Sequence, residues 1–367
     1  MKILHVYKTY YPDSTGGVEK SIENMAQGLK KLKVSSKILT LSNNVSVNKK
    51  VISLKKTFEI FSTPFSFKLL FKFKSISNKY DIIHFHFPWP FIDLVFLLSN
   101  IKKPTVLTYH SDIVKQSFLK VFYYPIMILF LKRIDKIVST SPNYLKSSKI
   151  LQKFKSKTEV IPLGISKKNY KIKKSKIPFF EKKYGKNFII FVGVLRYYKG
   201  IEFLINSIKK TNYKLYIVGN GKEYHKYNSI IKDYNLKNIK LLRSVSDKEL
   251  PYLIKLSKCL ILPSHLRSEA FGISLLEGLM FEKPLISCNI KTGTSFINIH
   301  NKTGFVVKPG NSYSLTNALN KIYSKKNKLN YFKNNSKKWF NLNFTQEKMS
   351  NSYYKLYKSL INNKSVS

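Results

Sequence analysis

The chain has 367 residues, 43% of them hydrophobic, which favours two folded domains over one core. Its 66 basic residues against 19 acidic ones give a formal net charge of +47, and only four of the basic residues are arginine. The excess is therefore lysine, which we attribute first to a lysine-rich solvated surface. No basic segment resembles a nucleic-acid-binding module, so we expect no nucleic-acid partner. An anionic membrane surface or an anionic substrate is the functional alternative.

Cysteine placement and the lengths of the apolar runs limit the class of protein further. Cys259 and Cys288 lie in apolar, strand-like runs, so we expect buried thiols rather than a disulfide or a metal site. The apolar runs 89–98 and 118–131 are shorter than the roughly 20 residues that span a bilayer. Residues 1–7 resemble a first strand rather than a secretory signal. We therefore expect a cytoplasmic protein, free or peripheral on the inner face of the cell membrane.

Strand and helix signals alternate through the first half of the chain. A strand at residues 3–7 leads through a polar loop into a helix at 18–32. Short buried runs predict further strands at residues 36–41, 82–86, 105–109, 136–139 and 159–161. This alternation is typical of a doubly wound parallel sheet.

The same pattern restarts after a polar, lysine-rich segment. Apolar runs predict strands at residues 188–192, 214–218, 239–242, 259–262 and 285–287, separated by helical stretches. The fold class is therefore α/β, with two Rossmann-like doubly wound domains that face each other across a ligand cleft. We predict an N-terminal domain at residues 1–167, a linker at 168–186, a C-terminal domain at 187–345, and a helix within 346–367 that returns to the N-terminal domain.

Two loops of the predicted N-terminal domain carry candidate binding residues. Asp13 and the pair Gly16-Gly17 precede the first helix, where glycine amides can approach a phosphate; an ordinary turn is the alternative. His110, Ser111 and Asp112 end the strand 105–109 and can contact sugar hydroxyl groups or move a proton. A satisfied structural histidine is the alternative there.

Two other histidines alternate within one predicted strand. His84 and His86 lie two residues apart in the run 82–86. We interpret them as packing or supporting residues rather than as metal ligands, and no cysteine and histidine cluster has metal-ligand spacing.

Two loops of the predicted C-terminal domain are suited to a diphosphate. Arg196 and Lys199 lie three residues apart at the mouth of a helix, where fixed cations can bind a diphosphate and stabilise it as it departs. Arginine is informative here because the chain has so few. Gly219, in the turn Gly219-Asn220-Gly221, ends the next strand and allows a close backbone approach.

One strand, loop and helix holds two carboxylates. Glu269 follows the apolar run 259–262, and Glu277 lies within the helix that begins near Gly272. A helix N-terminus attracts anions, and a carboxylate that accepts from two adjacent hydroxyl groups is a usual way to hold a ribose. The pattern therefore predicts a nucleotide-sugar ligand.

In their order and spacing, these motifs resemble the retaining glycosyltransferases of family 4, which have the fold called GT-B, over nearly the whole chain. The motifs are Gly16–Glu19, His110–Asp112, Ile161–Ile165, Gly193–Gly200, Gly219–Gly221 and Glu269–Glu277. The segments 191–200, 264–272 and 292–296 resemble the bacterial branch that builds O-antigen and other surface polysaccharides. Many members of that branch are mannosyl- or rhamnosyltransferases that use GDP-sugars.

The resemblance implies a role for each matching residue. Arg196 and Lys199 would contact the donor diphosphate, Glu277 the ribose, and Val245 the base through its backbone. Glu269, with the amides near Phe271 and Gly272, would hold the donor sugar, and His110 would lie near the reacting centre. Gly16 and Gly17 would approach the phosphate or acceptor, with Asp13, Ser111 and Asp112 on the acceptor side.

The resemblance also implies the reaction and its participants. It implies a hexosyltransferase that retains the anomeric configuration, takes a nucleotide-sugar donor, with a GDP-sugar favoured, and needs no metal or other cofactor. The acceptor would be a lipid-linked glycan or polysaccharide. The segment Lys291–Phe296 departs from the Gly-Gly-Pro-Glu-like turn of many members, so its contact with the donor stays open.

Two other functions stay open on the sequence. One is a sugar-nucleotide epimerase or a phosphorylase on the same fold, although a phosphorylase would need a cofactor lysine and other motifs that we do not find. The other is a basic relative that binds membrane or nucleic acid without catalysis, although such a decayed relative would not need to keep scarce acids and arginine at the motif positions.

Overall fold

The computed structural model describes residues 1–45, 49–113, 117–324 and 326–365. The chain divides into two compact units, one of Met1–Gly164 with the segment from Gln346 onward, and one of Ile165–Thr345. Among the described helices, none is both long and apolar enough to span a bilayer.

The first unit is built on a parallel sheet with a small antiparallel hairpin beside it. The strands are β1 (Lys2–Val6), β2 (Ser35–Ser42), β3 (Val51–Lys55), β4 (Phe58–Ile60), β5 (Thr63–Phe65), β6 (Ile82–Phe87), β7 (Thr105–Tyr109), β8 (Lys136–Ser139) and β9 (Thr158–Val160). Over the described residues the sheet has the order β3-β2-β1-β6-β7-β8-β9, and β4 pairs with β5. All six residues of β6 are buried, as expected for a central parallel strand covered on both faces.

Helices connect the strands of this sheet. They are α1 (Gly17–Lys31), α2 (Phe67–Ser77), α3 (Pro90–Leu98), α4 (Ser117–Arg133), α5 (Pro142–Ser147) and α6 (Lys149–Lys153). The two long apolar runs of the sequence thus form α3 and α4, which pack against each other.

The second unit repeats the plan. Its strands are β10 (Ile189–Val192), β11 (Leu215–Val218), β12 (Ile239–Leu242), β13 (Cys259–Leu262), β14 (Leu285–Cys288) and β15 (Gly304–Val307). They form a parallel sheet in the order β12-β11-β10-β13-β14-β15. Both cysteines are free and buried in this sheet. The helices are α7 (Ile177–Tyr184), α8 (Ile201–Ile208), α9 (Tyr224–Asp233), α10 (Leu250–Leu256), α11 (Ile273–Met280), α12 (Thr294–Ile297), α13 (Ser312–Ser324) and α14 (Lys326–Asn343).

The segment 168–186, predicted as a linker, has secondary structure of its own. It contains the 3-10 turn Lys174–Lys176 and α7, and it belongs to the second unit. Phe180 of α7 stacks on Tyr252 of α10, with 4.2 Å between ring centroids. The apolar side of α7 therefore packs on the second unit.

The C-terminal helix α15 (Gln346–Ser365) packs against α1 of the first unit. Gln346 joins the two helices, because its Nε2 donates to Asn24 O at 2.9 Å and its Oε1 accepts from Lys31 Nζ at 2.9 Å. Tyr353 and Tyr357 of α15 are fully buried. This helix therefore supplies part of the first unit's core.

Candidate active site

The strand order of the second sheet reverses between β10 and β13. Loops that leave the carboxyl ends of such neighbouring strands run to opposite sides and open a crevice, which is where ligands bind in open parallel sheets. Arg196 and Lys199 lie in the loop after β10, and Glu269 lies in the loop after β13. The cations and a carboxylate singled out in the sequence therefore flank this switch point.

Lys199 and Glu269 form an ion pair across the switch point. The Lys199 ammonium group donates to Glu269 Oε2, and each side chain is 11% exposed. Ser264 Oγ donates to the same carboxylate oxygen at 3.0 Å. Burial opposes the charge on Lys199, but the Glu269 carboxylate outweighs it, so the pKa of Lys199 is raised. The lysine therefore stays a cation in a site largely closed to water.

Arg196 differs from Lys199 in its exposure. Its side chain is exposed at the start of the 3-10 turn Tyr197–Lys199, and its backbone carbonyl accepts from Lys199 N at 3.0 Å. One short turn thus carries a largely buried cation and an accessible one. Two cations at this spacing can contact a diphosphate from two directions.

Gly219 lies at the end of β11, beside the loop that carries Arg196. Its φ is +149°, and a Cβ atom there would lie 2.0 Å from the carbonyl oxygen of Gly193. Only glycine fits, because the loops after β10 and β11 touch through their backbones. The observed contact is structural, and the approach of Gly219 to a ligand stays a prediction.

Phe271 and Gly272 connect Glu269 to α11. Gly272 lies at the N-terminus of this helix, and Phe271 is 5% exposed. The segment whose contact stayed open on the sequence packs against this loop. Thr292 Oγ1 donates to Glu269 O at 2.8 Å, and Gly293 N donates to Ala270 O at 2.8 Å. Residues 292–293 therefore fix the backbone carbonyl groups of Glu269 and Ala270.

Glu277 lies within α11 and is only 2% exposed. Tyr170 Oη donates to Glu277 Oε1 at 2.7 Å. The Tyr170 ring also contacts Phe281, with 6.1 Å between the ring centroids. The carboxylate predicted to bind ribose is therefore held by a tyrosine of the predicted linker.

Val245 lies in the loop after β12 and is half-buried. The next residues, Ser246 and Asp247, border a pocket of about 720 Å³, whose apolar wall includes Phe180 and Tyr252. The location is compatible with a base near Val245, since β12 is in the same half of the sheet as β11 and β10.

His110 follows β7 at the carboxyl edge of the first sheet. Its backbone N donates to Phe87 O at 3.2 Å, and its side chain is 6% exposed. Burial lowers the pKa of His110 to about 3, so the ring is uncharged at neutral pH. It can donate or accept a hydrogen bond, but it is not a resident cation.

Asp112 and Ser111 follow His110 in the same loop. Asp112 Oδ1 accepts from Tyr109 Oη at 2.9 Å and from Ser148 Oγ at 2.8 Å. Asp112 N donates to Tyr144 Oη at 2.6 Å. Asp112 thus fixes the loop, whereas Ser111 is half-buried beside it. The acceptor-side role of both residues stays a prediction.

The loop between β1 and α1 carries Asp13, Gly16 and Gly17. Asp13 is exposed in a turn, and α1 begins at Gly17 with Gly16 as its N-cap. The buried Glu19 carboxylate accepts from Thr9 Oγ1 at 2.9 Å, and a Cβ on Gly16 would lie 2.6 Å from Glu19 Oε2. The positive end of α1 therefore already has a carboxylate beside it. Phosphate binding by Gly16 and Gly17 stays a prediction.

Three histidines of the first unit lie close enough to be considered as metal ligands. One ring nitrogen from each of His5, His84 and His86 lies within 4.8 Å of the others, among the residues described. His84 and His86, however, use both ring nitrogens in hydrogen bonds to other side chains. The geometry therefore favours the supporting role predicted for these two.

Sequence reasoning did not single out three residues that contact the candidate site. Ser264 and Thr292 bind Glu269, and Tyr170 binds Glu277. Ser264 was part of the motif region, so its place after a buried strand was a usable signal. Nothing in the lysine-rich segment around Tyr170 marks that residue among the 24 tyrosines of the chain.

Two family descriptions match the chain. "Glycosyl transferases group 1" matches residues 173–339, and "Glycosyltransferase Family 4" matches residues 15–168. The first match contains the second-unit site, from Arg196 to Glu277, and the second contains His110.

Two curated proteins and one solved structure show the extent of the similarity. The O-antigen chain mannosyltransferase C of Escherichia coli is 40% identical over 371 residues, covering 100% of both chains. The D-rhamnosyltransferase WbpZ of Pseudomonas aeruginosa is 40% identical over 326 residues, covering 87% of this chain and 86% of the relative. The sucrose-phosphate synthase of Thermosynechococcus elongatus matches with a TM-score of 0.81 at 18% identity, covering 98% and 99% of the chains.

Proposed function

The chain belongs to the glycosyl transferases group 1 family and is a hexosyltransferase with the GT-B fold, and from this we propose its substrates. The donor is a nucleotide-diphosphate sugar, with GDP-mannose or a GDP-deoxyhexose favoured. The acceptor is a lipid-linked glycan of a surface polysaccharide such as O-antigen. The printed activities of the two 40% identical relatives, mannosyl and rhamnosyl transfer, support this choice of sugar.

One observation carries the proposal for the donor. Arg196, Lys199 and Glu269 flank the switch point of one parallel sheet, and the buried Glu277 lies on the helix that follows Glu269. A nucleotide sugar offers a diphosphate for the two cations and hydroxyl groups for the two carboxylates. We assign Arg196 and Lys199 to the diphosphate, Glu269 to the sugar and Glu277 to the ribose.

For the transfer step we propose the reaction that the family resemblance implies. The acceptor oxygen bonds to the anomeric carbon as the bond from that carbon to the diphosphate oxygen breaks. The bonding electron pair leaves with the diphosphate, and the acceptor hydroxyl proton passes to the departing oxygen. Attack on the face that the diphosphate leaves retains the anomeric configuration, through an oxocarbenium-like state.

Leaving-group stabilisation is the main contribution we assign to the protein. Arg196 and Lys199 oppose the negative charge that grows on the diphosphate in the transition state, Arg196 from the solvent side and Lys199 from a position largely closed to water. Since two side-chain cations can serve this purpose, we propose that transfer needs no metal ion. Transfer that continues in excess EDTA is the expected result, and loss of transfer restored by Mg²⁺ would contradict it.

We also propose that the first unit binds an anionic membrane surface, where a lipid-linked acceptor resides. Phe67 and Phe71 of α2 are 61% and 81% exposed, one helical turn apart. Lys68 and Lys72, also exposed, follow them at the same spacing. Exposed aromatic rings beside lysines are the combination that binds the interface of anionic lipids.

Vesicle flotation tests the membrane proposal. We expect binding to vesicles that contain phosphatidylglycerol, weak binding to pure phosphatidylcholine, and a loss with Phe67→Ser and Phe71→Ser together. Tyr313→Ser is the control, because Tyr313 is 75% exposed in the second unit. Equal binding by the wild type and the double variant would sink the proposal.

The donor is tested by thermal shift and by transfer. GDP-, UDP-, ADP- and dTDP-sugars are screened for stabilisation, and the best is assayed for transfer to a lipid-linked glycan. We expect Arg196→Ala and Glu269→Ala each to lower kcat/KM by at least about 100-fold, the scale of a lost transition-state contact. Lys210→Ala, an exposed lysine beyond the far end of α8, is the control.

The same assay separates the two alternatives. An epimerase would change the sugar of the donor without an acceptor, and a non-catalytic binder would show equal signals with wild type and the two site variants. Either result would overturn the assignment of the substrates.

A further inference from the structure

Four buried histidines lie on one face of the first sheet. His5 belongs to β1, His84 and His86 to β6, and His110 follows β7, and these three strands are neighbours. His5 is paired in register with His84, and His86 with Thr108. Since alternate residues of a strand point to the same face, the four rings come together, and each is at most 6% exposed.

Three of these rings form a continuous chain of hydrogen bonds. His5 Nδ1 and His86 Nε2 are 3.1 Å apart, and His86 Nδ1 and His110 Nε2 are 3.0 Å apart. These hydrogen bonds run from the interior of β1 to His110, the loop residue that the family resemblance implies near the reacting centre.

The three rings carry no charge at neutral pH. Burial lowers the pKa of His5 and of His110 to about 3, and burial together with the neighbouring histidines lowers the pKa of His86 well below its ordinary value. An uncharged imidazole has one N–H donor and one acceptor nitrogen. Because His86 uses both nitrogens, it must donate to one neighbour and accept from the other. The tautomers of the three rings are therefore linked, and only two arrangements are possible.

His5, at the inner end of the hydrogen-bonded rings, selects between these two arrangements. His5 Nε2 is buried and has no hydrogen-bond partner among the described residues. One arrangement would leave an N–H group there without an acceptor, and orphaned buried N–H groups are rare in folded proteins. The other puts the proton of each ring on Nδ1, so that His5 donates to His86 and His86 donates to His110.

We propose that His5 and His86 are positioning residues that hold His110 in the tautomer with its proton on Nδ1. His110 then presents a hydrogen-bond donor, fixed before the substrate arrives, to a hydroxyl oxygen of the transferred sugar. The proposal rests on the proposed function and on the role that the family resemblance implies for His110, near the reacting centre. It adds that His5, two hydrogen bonds away, decides whether His110 donates a hydrogen bond to the sugar or accepts one from it.

His84 provides a matched comparison for His5. It is equally buried and its ring stacks on His86 with 4.4 Å between centroids, but it does not belong to the row of hydrogen-bonded rings His5, His86 and His110. Its Nδ1 bonds to Tyr357 Oη at 2.6 Å and its Nε2 to Thr108 Oγ1 at 2.7 Å. Replacing His84 should disturb the same core without releasing the tautomer of His110.

Nitrogen-15 NMR of the full chain tests the proposal, since protonated and bare ring nitrogens have separate chemical shifts. The His110 signals are identified by their loss in His110→Gln. We expect one tautomer with the proton on Nδ1 in the wild type, a change in His5→Phe, and no change in His84→Phe. His5→Gln should keep the wild-type tautomer, because its amide N–H can donate to His86 Nε2.

Kinetics provide a second readout. We expect His5→Phe to lower kcat about tenfold, the scale of one misdirected hydrogen bond in the transition state, with the donor KM within about twofold of wild type. His5→Gln should restore most of the kcat, which a purely structural role of His5 would not predict.

Three results would overturn the proposal. They are a wild-type His110 with its proton on Nε2, a His110 tautomer that is the same in His5→Phe and wild type, and signals of His5, His84 and His86 that shift on removal of a divalent cation by a chelator. The last would assign these rings to a metal site. If His5→Phe does not fold, the position of the proton on His110 in the wild type alone tests the proposal. If no donor supports transfer while the NMR result is as expected, the proposed substrates are contradicted and the proposed tautomer of His110 is supported.

Discussion

The largely buried ammonium group of Lys199 is paired with the carboxylate of Glu269, a residue 70 positions later in the chain. Both residues are assigned to the donor, yet without it each already neutralises the other. A donor diphosphate that approaches Lys199 therefore enters a site whose charges are held in place in advance, which limits the reorganisation needed during transfer.

The pair should be energetically coupled. Removing one partner leaves an uncompensated charge in a site that is 11% exposed, so we expect Lys199→Met or Glu269→Gln alone to lower the free energy of unfolding by about 3 kcal/mol. The double variant should cost clearly less than the sum. Urea denaturation of the four proteins measures this.

An exposed pair serves as the control for this cycle. Lys226 and Glu202 are each 51% exposed, and the same cycle on them should give a coupling of about 0.5 kcal/mol. Equal coupling energies in the two pairs would contradict the prediction that burial strengthens the interaction between Lys199 and Glu269.

Tyr170→Phe should weaken the binding of the nucleoside part of the donor. The change removes the hydroxyl group that donates to Glu277 Oε1 at 2.7 Å and leaves the aromatic ring in place. We expect the Kd for GDP to rise by about three- to tenfold, the scale of one hydrogen bond to a charged group. Isothermal titration calorimetry with GDP measures it.

A comparison with 2′-deoxy-GDP shows whether the effect acts through the ribose. Wild type should prefer GDP, and Glu277→Gln should lose most of that preference. An unchanged preference for GDP over 2′-deoxy-GDP in Glu277→Gln would show that Glu277 does not bind the ribose.

The sequence was sufficient for the elements with strong local signals. The strand run 259–262 and the helix after Gly272 are where the pattern placed them, because a continuous apolar run and helical periodicity are local properties. Arg196 and Glu269 could be singled out because arginines and acids are scarce among the lysines. The short strands β3, β4, β5 and β15 were not predicted. Of these, β4 is fully exposed and carries no burial pattern.

Pairings between distant residues could not be read from the sequence. His5 and His86 are 81 positions apart and meet only because β1 and β6 are neighbours in the sheet. Tyr170 and Glu277 are separated by 107 positions. Motif spacing identifies residues of the same loop, whereas strand order decides which loops meet.

Gly200→Ala should be far more destabilising than Gly185→Ala, although both glycines have a positive φ. Gly200 has φ +69° and a Cβ there would lie 2.2 Å from the carbonyl oxygen of Pro263, whereas Gly185 has φ +76° with open space around it. The conformation alone costs about 1–2 kcal/mol at Gly200, which is left-handed helical with ψ 24°. It costs about 1–3 kcal/mol at Gly185, whose ψ of −168° is extended. The backbone clash adds to this only at Gly200.

Thermal denaturation of the two variants measures the difference. We also expect Gly200→Ala to lose transfer activity, because Gly200 directly follows Lys199, and Gly185→Ala to keep it. Equal melting temperatures in the two variants would show that the loops after β10 and β13 are not in backbone contact.

Acidification should destabilise the chain through its buried histidines. The folded-state pKa of His5 and of His110 is about 3, below the ordinary histidine value of 6.5. The unfolded chain therefore binds protons that the folded chain excludes. The resulting stability is complete above pH 6.5 and is lost as the pH falls toward 3. At pH 5 the contribution of each of these two histidines to the free energy of unfolding should have fallen by about 2 kcal/mol.

Urea denaturation at pH 7 and pH 5 measures this loss of stability. His5→Phe should reduce the loss by the share of one histidine, whereas replacing the exposed His225 with Gln should leave it unchanged. A pH dependence that is the same in His5→Phe and wild type would mean that His5 is protonated within the folded chain.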